Sequence, residues 1–189
     1  MIFFGKNQEI KLIITHHFAR PSAWTFTIKP FQELISRYVE NNGFGWADPF
    51  SGQNSPAEFT NDMNPERDTK YHLDAKDFAD VLPFNLNGIL FDPPYSYRQI
   101  TEHYKSVGIK ASSLDTSVNF YYRVMKKLHP KLQIGGYAIS WGWNSNGFPK
   151  SWGYETIEIM MVGHGLHHND TIAVVQKKIA NLPIKEKLR

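Results

Sequence analysis

The tetrapeptide Asp92-Pro93-Pro94-Tyr95 joins a carboxylate, two stiff prolines and a flat aromatic ring. The apolar run 87–91 before it predicts a buried strand, so the tetrapeptide lies where a strand ends and its loop begins. Each proline fixes φ at about −65° and lacks a backbone N–H, so nearby carbonyls can face a ligand. A planar amino group needs such acceptors, and a nucleobase needs a ring to stack on. The alternative interpretation is a proline turn that caps a strand.

Helices and strands alternate along the chain, which favours a largely parallel sheet. The predicted helices are 30–41, 75–81 and 115–128. The predicted strands are 44–48, 57–61, 71–74, 88–92, 137–141, 155–162 and 171–177, and the last two form an antiparallel hairpin. Residues 10–14 indicate one more short strand, and residues 16–21 indicate a loop.

The connections between the first three of these seven strands are too short for ordinary crossover helices, because parallel neighbours need about a dozen residues or more. The helices after the first and second strands are therefore predicted to be single turns or absent. One face of the sheet is then thinly covered, mainly by the helix 30–41. We expect the N-terminal segment or a second subunit to complete that cover.

Composition bounds the class of protein. The 189 residues suit one domain over 1–189, and the 41% of hydrophobic residues suffice for a core. The sequence has no cysteine, which excludes disulfides and thiolate metal sites. A net charge of +3 and a pI of about 9.0 are compatible with nucleic-acid binding. With no apolar run of about 18 residues and no leader, we expect a cytoplasmic protein that is not bound to membranes.

Acidic residues end the first three predicted strands, at Asp48, Asp62 and Asp74. Ligands of open α/β sheets bind outside the carboxyl ends of the strands. Gly52 lets a backbone approach a ligand closely, and a carboxylate accepts two hydrogen bonds from a diol. The structural alternatives are a glycine turn at 52, an Asp/Asn turn at 62 and a helix N-cap at 74.

In this order the motifs resemble the core of S-adenosylmethionine-dependent amino-methyltransferases, above all Dam-like DNA N6-adenine methyltransferases. The resemblance implies an α/β, Rossmann-like methyltransferase fold with a mostly parallel seven-stranded sheet. It also implies S-adenosylmethionine as the cofactor. The implied cofactor-binding residues are Thr27, Pro30, Asp48, Phe50, Ser51, Gly52, Asp62, Met63, Asp74 and Ala75. The family pattern usually continues with a second glycine where this chain has Asn54.

The resemblance assigns a role to most of these positions. The loop after Asp48 and the segment 25–31 meet the methionine part of the cofactor. Asp62 takes the ribose hydroxyls with Met63 against the adenine ring, and Asp74 accepts from the adenine amino group.

At the catalytic motif, Asp92 and the Pro93 carbonyl would hold the target amino group, Pro94 would stiffen the loop and Tyr95 would stack on the base. DNA is the implied partner. Two alternatives stay open: an RNA amino-methyltransferase, and a catalytically silent S-adenosylmethionine-binding regulatory protein.

The chain has no separate stretch long enough to read a DNA sequence, so 96–113 and 144–153 are the candidates for contact with DNA. A homodimer or other homo-oligomer would supply further contacts. We predict that Trp141 and Trp143 pack in the core or at its rim. We also predict that His164, His167 and His168 form a hydrogen-bonded loop and not a metal site.

Overall fold

The computed structural model describes residues 11–94, 118–165 and 168–184. In these ranges it contains three α-helices: α1 (Lys29–Tyr38), α2 (Ala75–Val81) and α3 (Val118–Leu128). The strands are β1 (Ile13–Phe18), β2 (Trp46–Asp48), β3 (Phe59–Thr60), β4 (Leu86–Phe91), β5 (Leu132–Gly142), β6 (Tyr154–Gly163) and β7 (Thr171–Lys178). None of the helices in these ranges has the length and apolar character needed to cross a bilayer.

The strands form one seven-stranded sheet in the order β1-β6-β7-β5-β4-β2-β3. β7 is antiparallel to both of its neighbours, β5 and β6, and the other four pairings are parallel. The prediction of a mostly parallel sheet with a C-terminal antiparallel hairpin is therefore confirmed. We call the edge where β2, β4 and β5 end the carboxyl edge, and the edge where they begin the amino edge.

The N-terminal part of the chain differs from the sequence prediction. The strand runs over Ile13–Phe18, so the described residues 11 and 12 of the predicted strand are not part of it, and residues 16–18 of the predicted loop 16–21 are. It pairs in parallel with β6 from Ile13 beside Glu158 to Phe18 beside Gly163. Its sequence has no alternation of apolar and polar residues, and its partner lies far along the sequence. Local pattern therefore could not place this strand.

The predicted third strand, 71–74, is reduced to a single parallel bridge between Tyr71 and Asn61. The sheet still has seven strands because β1 occupies its far edge. Between β2 and α2, every residue is described and none is helical. The predicted shortening of the connecting helices is confirmed, and these connections are extended loops.

Two apolar cores cover the two faces of the sheet. One lies under α2 and α3 and contains Phe78, Val124 and Phe148, all nearly inaccessible to solvent. The other lies under α1 and includes Phe26 and Ile28 from the segment before that helix. This segment supplies the cover that we expected from the N-terminal part of the chain, and the second subunit stays a prediction.

Helix α1 is also joined to the sheet by a buried carboxylate. Glu158 of β6 is 1% exposed. Arg37 forms an ion pair with its carboxylate, and the Tyr38 hydroxyl donates to it at 2.7 Å. A buried charge needs such partners, because leaving one uncompensated is strongly destabilising. The pair therefore fixes the position of α1 and of the segment that precedes it.

Candidate active site

The sheet reverses its winding between β2 and β4. From β2 the chain passes to β3 on one side, and from β4 it passes to β5 on the other. Such a point opens a crevice at the carboxyl edge, where open α/β sheets bind their ligands. Asp48 ends β2, and Asp92 directly follows β4. The structure thus brings the two acidic motifs predicted from the sequence to the two sides of one crevice.

Asp48 is a fully buried carboxylate with two hydrogen-bond donors. Its Oδ1 accepts from the Phe50 amide at 3.0 Å, and its Oδ2 accepts from the Ser55 hydroxyl at 2.7 Å. Burial raises the pKa of Asp48 to about 7, against the opposing effect of these two hydrogen bonds. The negative charges of Asp92 and Asp62 raise it further. A cation in this crevice would relieve that repulsion.

Asn61 ties the loops of the crevice together, a role that the sequence did not reveal. Its side-chain nitrogen donates to the carbonyls of Pro49 and Leu73 at 3.1 and 3.0 Å. Its side-chain oxygen accepts from the Leu73 amide at 2.9 Å. The residue is 1% exposed, so these bonds form away from water. One side-chain amide thereby replaces hydrogen bonds that the predicted strand 71–74 would have supplied. The only sequence signal for this role is an Asn at the end of a strand.

Asp62 begins the loop after β3 and is 6% exposed. Its Oδ1 accepts from the Asn64 amide at 2.8 Å, and the Asn64 side chain in turn accepts from the Glu66 amide at 3.0 Å. These are two successive Asp/Asn turns, so the structural interpretation of this segment holds. Met63 between them is half-buried. The turns fix the carboxylate at the carboxyl edge beside Asp48.

Asp74 is the N-cap of α2, with its Oδ1 accepting from the Lys76 amide at 2.8 Å. The structural alternative predicted for this residue is therefore present. Asp74 remains half-buried, and Ala75 after it is buried in the core. A carboxylate has further lone pairs, so capping leaves Asp74 able to accept from a ligand as well.

Gly52 and the segment before α1 meet at the rim of the crevice. Gly52 has a φ of +51°, and a Cβ there would lie 3.0 Å from the Trp24 ring. The Arg67 guanidinium stacks on the same ring at 4.9 Å. Trp24 thus bridges the loop after Asp48 and the loop after Asp62. The positive φ favours glycine at 52, and a larger residue would also push against the Trp24 ring.

Thr27 and Pro30 belong to the same segment. The Thr27 hydroxyl donates to the Trp24 carbonyl at 2.7 Å, which closes the turn that presents Trp24. Pro30 is buried in the first turn of α1, where its missing N–H costs nothing. The backbone of this segment forms a 3₁₀ turn over Thr25–Thr27.

The side chains of Phe50, which is half-buried, and Ser51, which is buried, make contacts within the protein. The Phe50 ring packs edge-on against Phe91 and Tyr121 at 5.4 and 6.1 Å between centroids. The Ser51 amide and hydroxyl both donate to the Asn61 carbonyl, at 3.0 and 3.1 Å. Their contacts position the loop between Asp48 and Gly52.

The catalytic motif is described as far as Pro94, and Tyr95 lies outside the described residues. Asp92 is half-buried and Pro93 is buried. The Tyr121 hydroxyl of α3 donates to the Pro94 carbonyl. Helix α3 therefore fixes the loop just beyond the Asp92 carboxylate, a contact that the sequence did not predict. The segment 96–113 also lies outside the described residues.

The histidine cluster is described in part, because His167 lies outside the described ranges. His164 Nδ1 donates to the Ala19 carbonyl at 3.0 Å, and its Nε2 lies 3.0 Å from the Thr171 hydroxyl. Both ring nitrogens of His164 are thereby occupied within the hairpin and the chain after β1.

The carboxylates at the carboxyl edge fit S-adenosylmethionine. That cofactor carries a sulfonium and an ammonium group, and the crevice presents the carboxylates of Asp48, Asp62 and Asp92. The observation that carries this fit is geometric, because Asp48 ends β2, Asp62 follows β3 and Asp92 follows β4, so the three carboxylates share one edge of the sheet. Carboxylates also suit the ribose hydroxyls and the adenine amino group.

No protein-family model matches the chain, and no curated protein matches it. Among solved structures, its fold is similar to that of TrmN from Thermus thermophilus, with a TM-score of 0.54 and 14% sequence identity. The match covers 80% of this chain and 49% of TrmN, so this chain spans about half the length of that protein. At this identity the likeness concerns the fold alone, a mixed α/β fold with a mostly parallel seven-stranded sheet.

Proposed function

We propose that the protein transfers a methyl group from S-adenosylmethionine to the exocyclic amino group of a nucleobase, adenine N6 in DNA. The observation that carries this proposal is the position of Asp92 and Asp48 on the two sides of the crevice between β4 and β2. One side has the chemistry to hold an amino group, and the other has the chemistry to hold a cationic cofactor.

Asp92 and the Pro93 carbonyl act on the target amino group. Its nitrogen lone pair is delocalised into the ring, which makes it a poor nucleophile. Hydrogen bonds from the amino group to these two acceptors localise the lone pair on nitrogen and stabilise the positive charge that develops there. The Tyr121 hydroxyl on Pro94 holds the loop in place, so the acceptors are fixed before the base arrives.

Asp48, Asp62 and Asp74 hold the cofactor in this proposal, as the family resemblance implies. When bound, the cofactor supplies an electrophilic methyl group. Asn61 and the two Asp/Asn turns hold the carboxylates at the edge of the sheet. Tyr95 would stack on the target base after it leaves its neighbours in the strand.

RNA is the second candidate substrate. The observation that favours it is the fold of TrmN, which is a tRNA methyltransferase. The two substrates share the nucleobase amino group, so the same residues serve either. The DPPY motif favours adenine, and the fold likeness brings RNA into consideration.

A transfer assay decides between these substrates. Purified protein is incubated with methyl-labelled S-adenosylmethionine and mixed-sequence DNA, RNA or neither, and the products are digested to nucleosides. Label in N6-methyldeoxyadenosine supports the DNA proposal, and label only in a ribonucleoside replaces it with the RNA alternative. Cofactor binding without transfer to either polymer would identify a silent binding protein and contradict the proposed activity.

A further inference from the structure

We propose that the loop 143–146, with the sequence Trp-Asn-Ser-Asn, is a nucleobase-contacting surface. We call it the β5 loop, because it directly follows β5. In this proposal Trp143 stacks on a base next to the target in a single-stranded or opened segment. The inference rests on the proposed function for the identity of its partner, and it assigns that partner a contact surface.

Strand register brings the β5 loop to the same edge of the sheet as Asp92. β4 and β5 are parallel, and Phe91 lies beside Ser140. The next residues in register are Asp92, directly after β4, and Trp141 of β5. The β5 loop begins two residues further along, at Trp143. When the target base of a nucleic-acid strand lies at Asp92, the nucleotides next to that base therefore lie near the β5 loop.

Exposure distinguishes Trp143 from other tryptophans of the chain. It is 50% exposed, whereas Trp46, Trp141 and Trp152 are at most 3% exposed. The prediction that both Trp141 and Trp143 pack at the core or its rim is thus confirmed for Trp141, which belongs to the core under α1. A half-accessible indole at the carboxyl edge suits base stacking, which accepts every base.

The β5 loop is rigidly anchored at its far end. Gln176 of β7 is 2% exposed and bonds Phe148 in both directions, accepting from its amide at 2.7 Å and donating to its carbonyl at 2.9 Å. A Cβ at Gly147 would lie 2.1 Å from the Gln176 oxygen, so only glycine permits this approach. Within the loop, Asn144 Oδ1 accepts from the Asn146 amide at 2.9 Å. A preorganised loop loses less entropy when it binds.

The polar groups around Trp143 suit a nucleic acid. Asn144, Ser145 and Asn146 are exposed and carry neutral hydrogen-bonding groups. Lys150 is exposed just beyond them, and no carboxylate occurs from 143 to 154. Phosphate groups would meet no like charge along this stretch. These features favour a nucleotide strand over a basic protein partner.

Binding to oligonucleotides that lack exocyclic amino groups tests the proposal. Labelled oligothymidylate and oligouridylate cannot be methylated on an amino group, so their binding, measured by fluorescence anisotropy, is independent of catalysis. Trp143→Ala should weaken binding about 5- to 100-fold, the range expected for one lost base stack. Trp143→Phe keeps an aromatic face and should restore most of it. The preferred oligonucleotide distinguishes a deoxyribose from a ribose strand.

Phe44→Ala is the matched control, because Phe44 is 65% exposed and precedes β2 at the amino edge. It should leave binding unchanged, and neither Trp143 variant should alter cofactor affinity. Unchanged binding by Trp143→Ala, or failure of the wild type to bind either oligonucleotide, would overturn the proposal. A change in the oligomeric state of Trp143→Ala relative to the wild type, measured by size-exclusion chromatography, would also overturn the proposal, since it would assign Trp143 to a protein interface. If no amino group is methylated and binding still depends on Trp143, the proposed function fails and this surface stands.

Discussion

Buried charges lie at both edges of the sheet, and they are treated in opposite ways. At the amino edge, Lys178 is 1% exposed and donates to the carbonyls of His129 and Leu132 at 2.6 and 2.8 Å. At the carboxyl edge, the negative charges of Asp92 and Asp62 both raise the pKa of the buried Asp48. Carbonyl oxygens surround the Lys178 ammonium, whereas the Asp48 carboxylate accepts from Phe50 and Ser55 but has two further carboxylates near it. We therefore expect the amino edge to serve stability and the carboxyl edge to receive a ligand.

The amino edge repeats its device at Lys131, which is 9% exposed. Its Nζ donates to the Leu82 carbonyl at 2.6 Å and to the Asp80 carbonyl at 3.2 Å. Two lysines thus join α2, the end of α3 and the start of β5 through backbone acceptors. The comparison predicts that substitutions at the two edges separate stability from activity.

The largest effect is expected at the carboxyl edge from Asp92→Ala. Removing the acceptor of the target amino group should lower kcat by about 10²- to 10³-fold, a typical cost of losing one preorganised polar contact in a transition state. Cofactor affinity should change less than kcat, because in the proposed function Asp92 holds the amino group of the substrate. Single-turnover transfer and equilibrium cofactor binding measure the two quantities. Asp77→Ala, an exposed carboxylate on α2, is the control, and wild-type turnover by Asp92→Ala would refute the assignment.

At the amino edge, Lys178→Met should lower the free energy of unfolding by about 2–4 kcal/mol, since two buried carbonyls lose their donor. Urea denaturation measures this loss, and cofactor affinity should not change. Lys177→Met is the control, because Lys177 is half-buried and contacts the Tyr137 ring. Equal losses from both lysines would show that the buried position is not special.

The pH dependence of this stability has a defined sign. Burial lowers the pKa of Lys178 from its ordinary 10.5 to about 8. Between these values the unfolded chain binds more protons than the folded one, so stability rises with pH. The free energy of unfolding of the wild type, minus that of Lys178→Met, should therefore rise as the pH increases from 8 towards 10.5.

Asp48 gives a smaller effect that is read in cofactor binding. If its carboxylate form receives the cationic cofactor, affinity should rise about tenfold from pH 6 to pH 8, because the pKa of Asp48 is raised to about 7. Asp48→Asn should bind more weakly and lose this rise, which calorimetry at each pH would reveal. Without cofactor, the raised pKa means that the folded state binds the proton more tightly. As the pH rises from about 4 to 7, the free energy of unfolding of the wild type should then fall relative to that of Asp48→Asn.

The smallest effect separates the two roles of Asp74. Asp74→Ala removes the N-cap of α2 and should lower the free energy of unfolding by about 1 kcal/mol. Asp74→Ser restores a capping oxygen on a shorter side chain, so stability should return while cofactor affinity stays reduced. Thermal unfolding and cofactor binding test the pair. Full recovery of affinity in Asp74→Ser would leave Asp74 with the capping role alone.

Sequence patterns predicted those elements whose partners are near in sequence or strongly apolar. α2 lies within the predicted bounds, and Asp92 directly follows β4, which covers the apolar run that predicted it. The strands β4 and β5 also cover the apolar runs that predicted strands there, and the predicted terminal hairpin is present. These elements place Asp48 and Asp92 correctly because a strand end is a local property.

Contacts between distant residues could not be predicted in this way. Asn61 was predicted only as the last residue of the strand 57–61, and the folded chain shows that its side chain joins the loop after β2 to residue 73. Tyr121 matched the apolar stripe of a helix, so its hydroxyl contact with Pro94 was hidden. Trp24 showed no pattern before its contact with Gly52 was seen. Each of these side chains supports the crevice from a segment far from the residue that it holds.

The parallel pairing of β1 with β6 has a consequence for the order of folding. β1 is among the first described segments to be synthesised, yet its partner strand is among the last. Because loop-closure entropy opposes such distant pairing, β1 should join the sheet late. Until then its apolar side chains and unpaired backbone are exposed to other nascent chains. This edge is therefore where slow folding and aggregation during expression should begin.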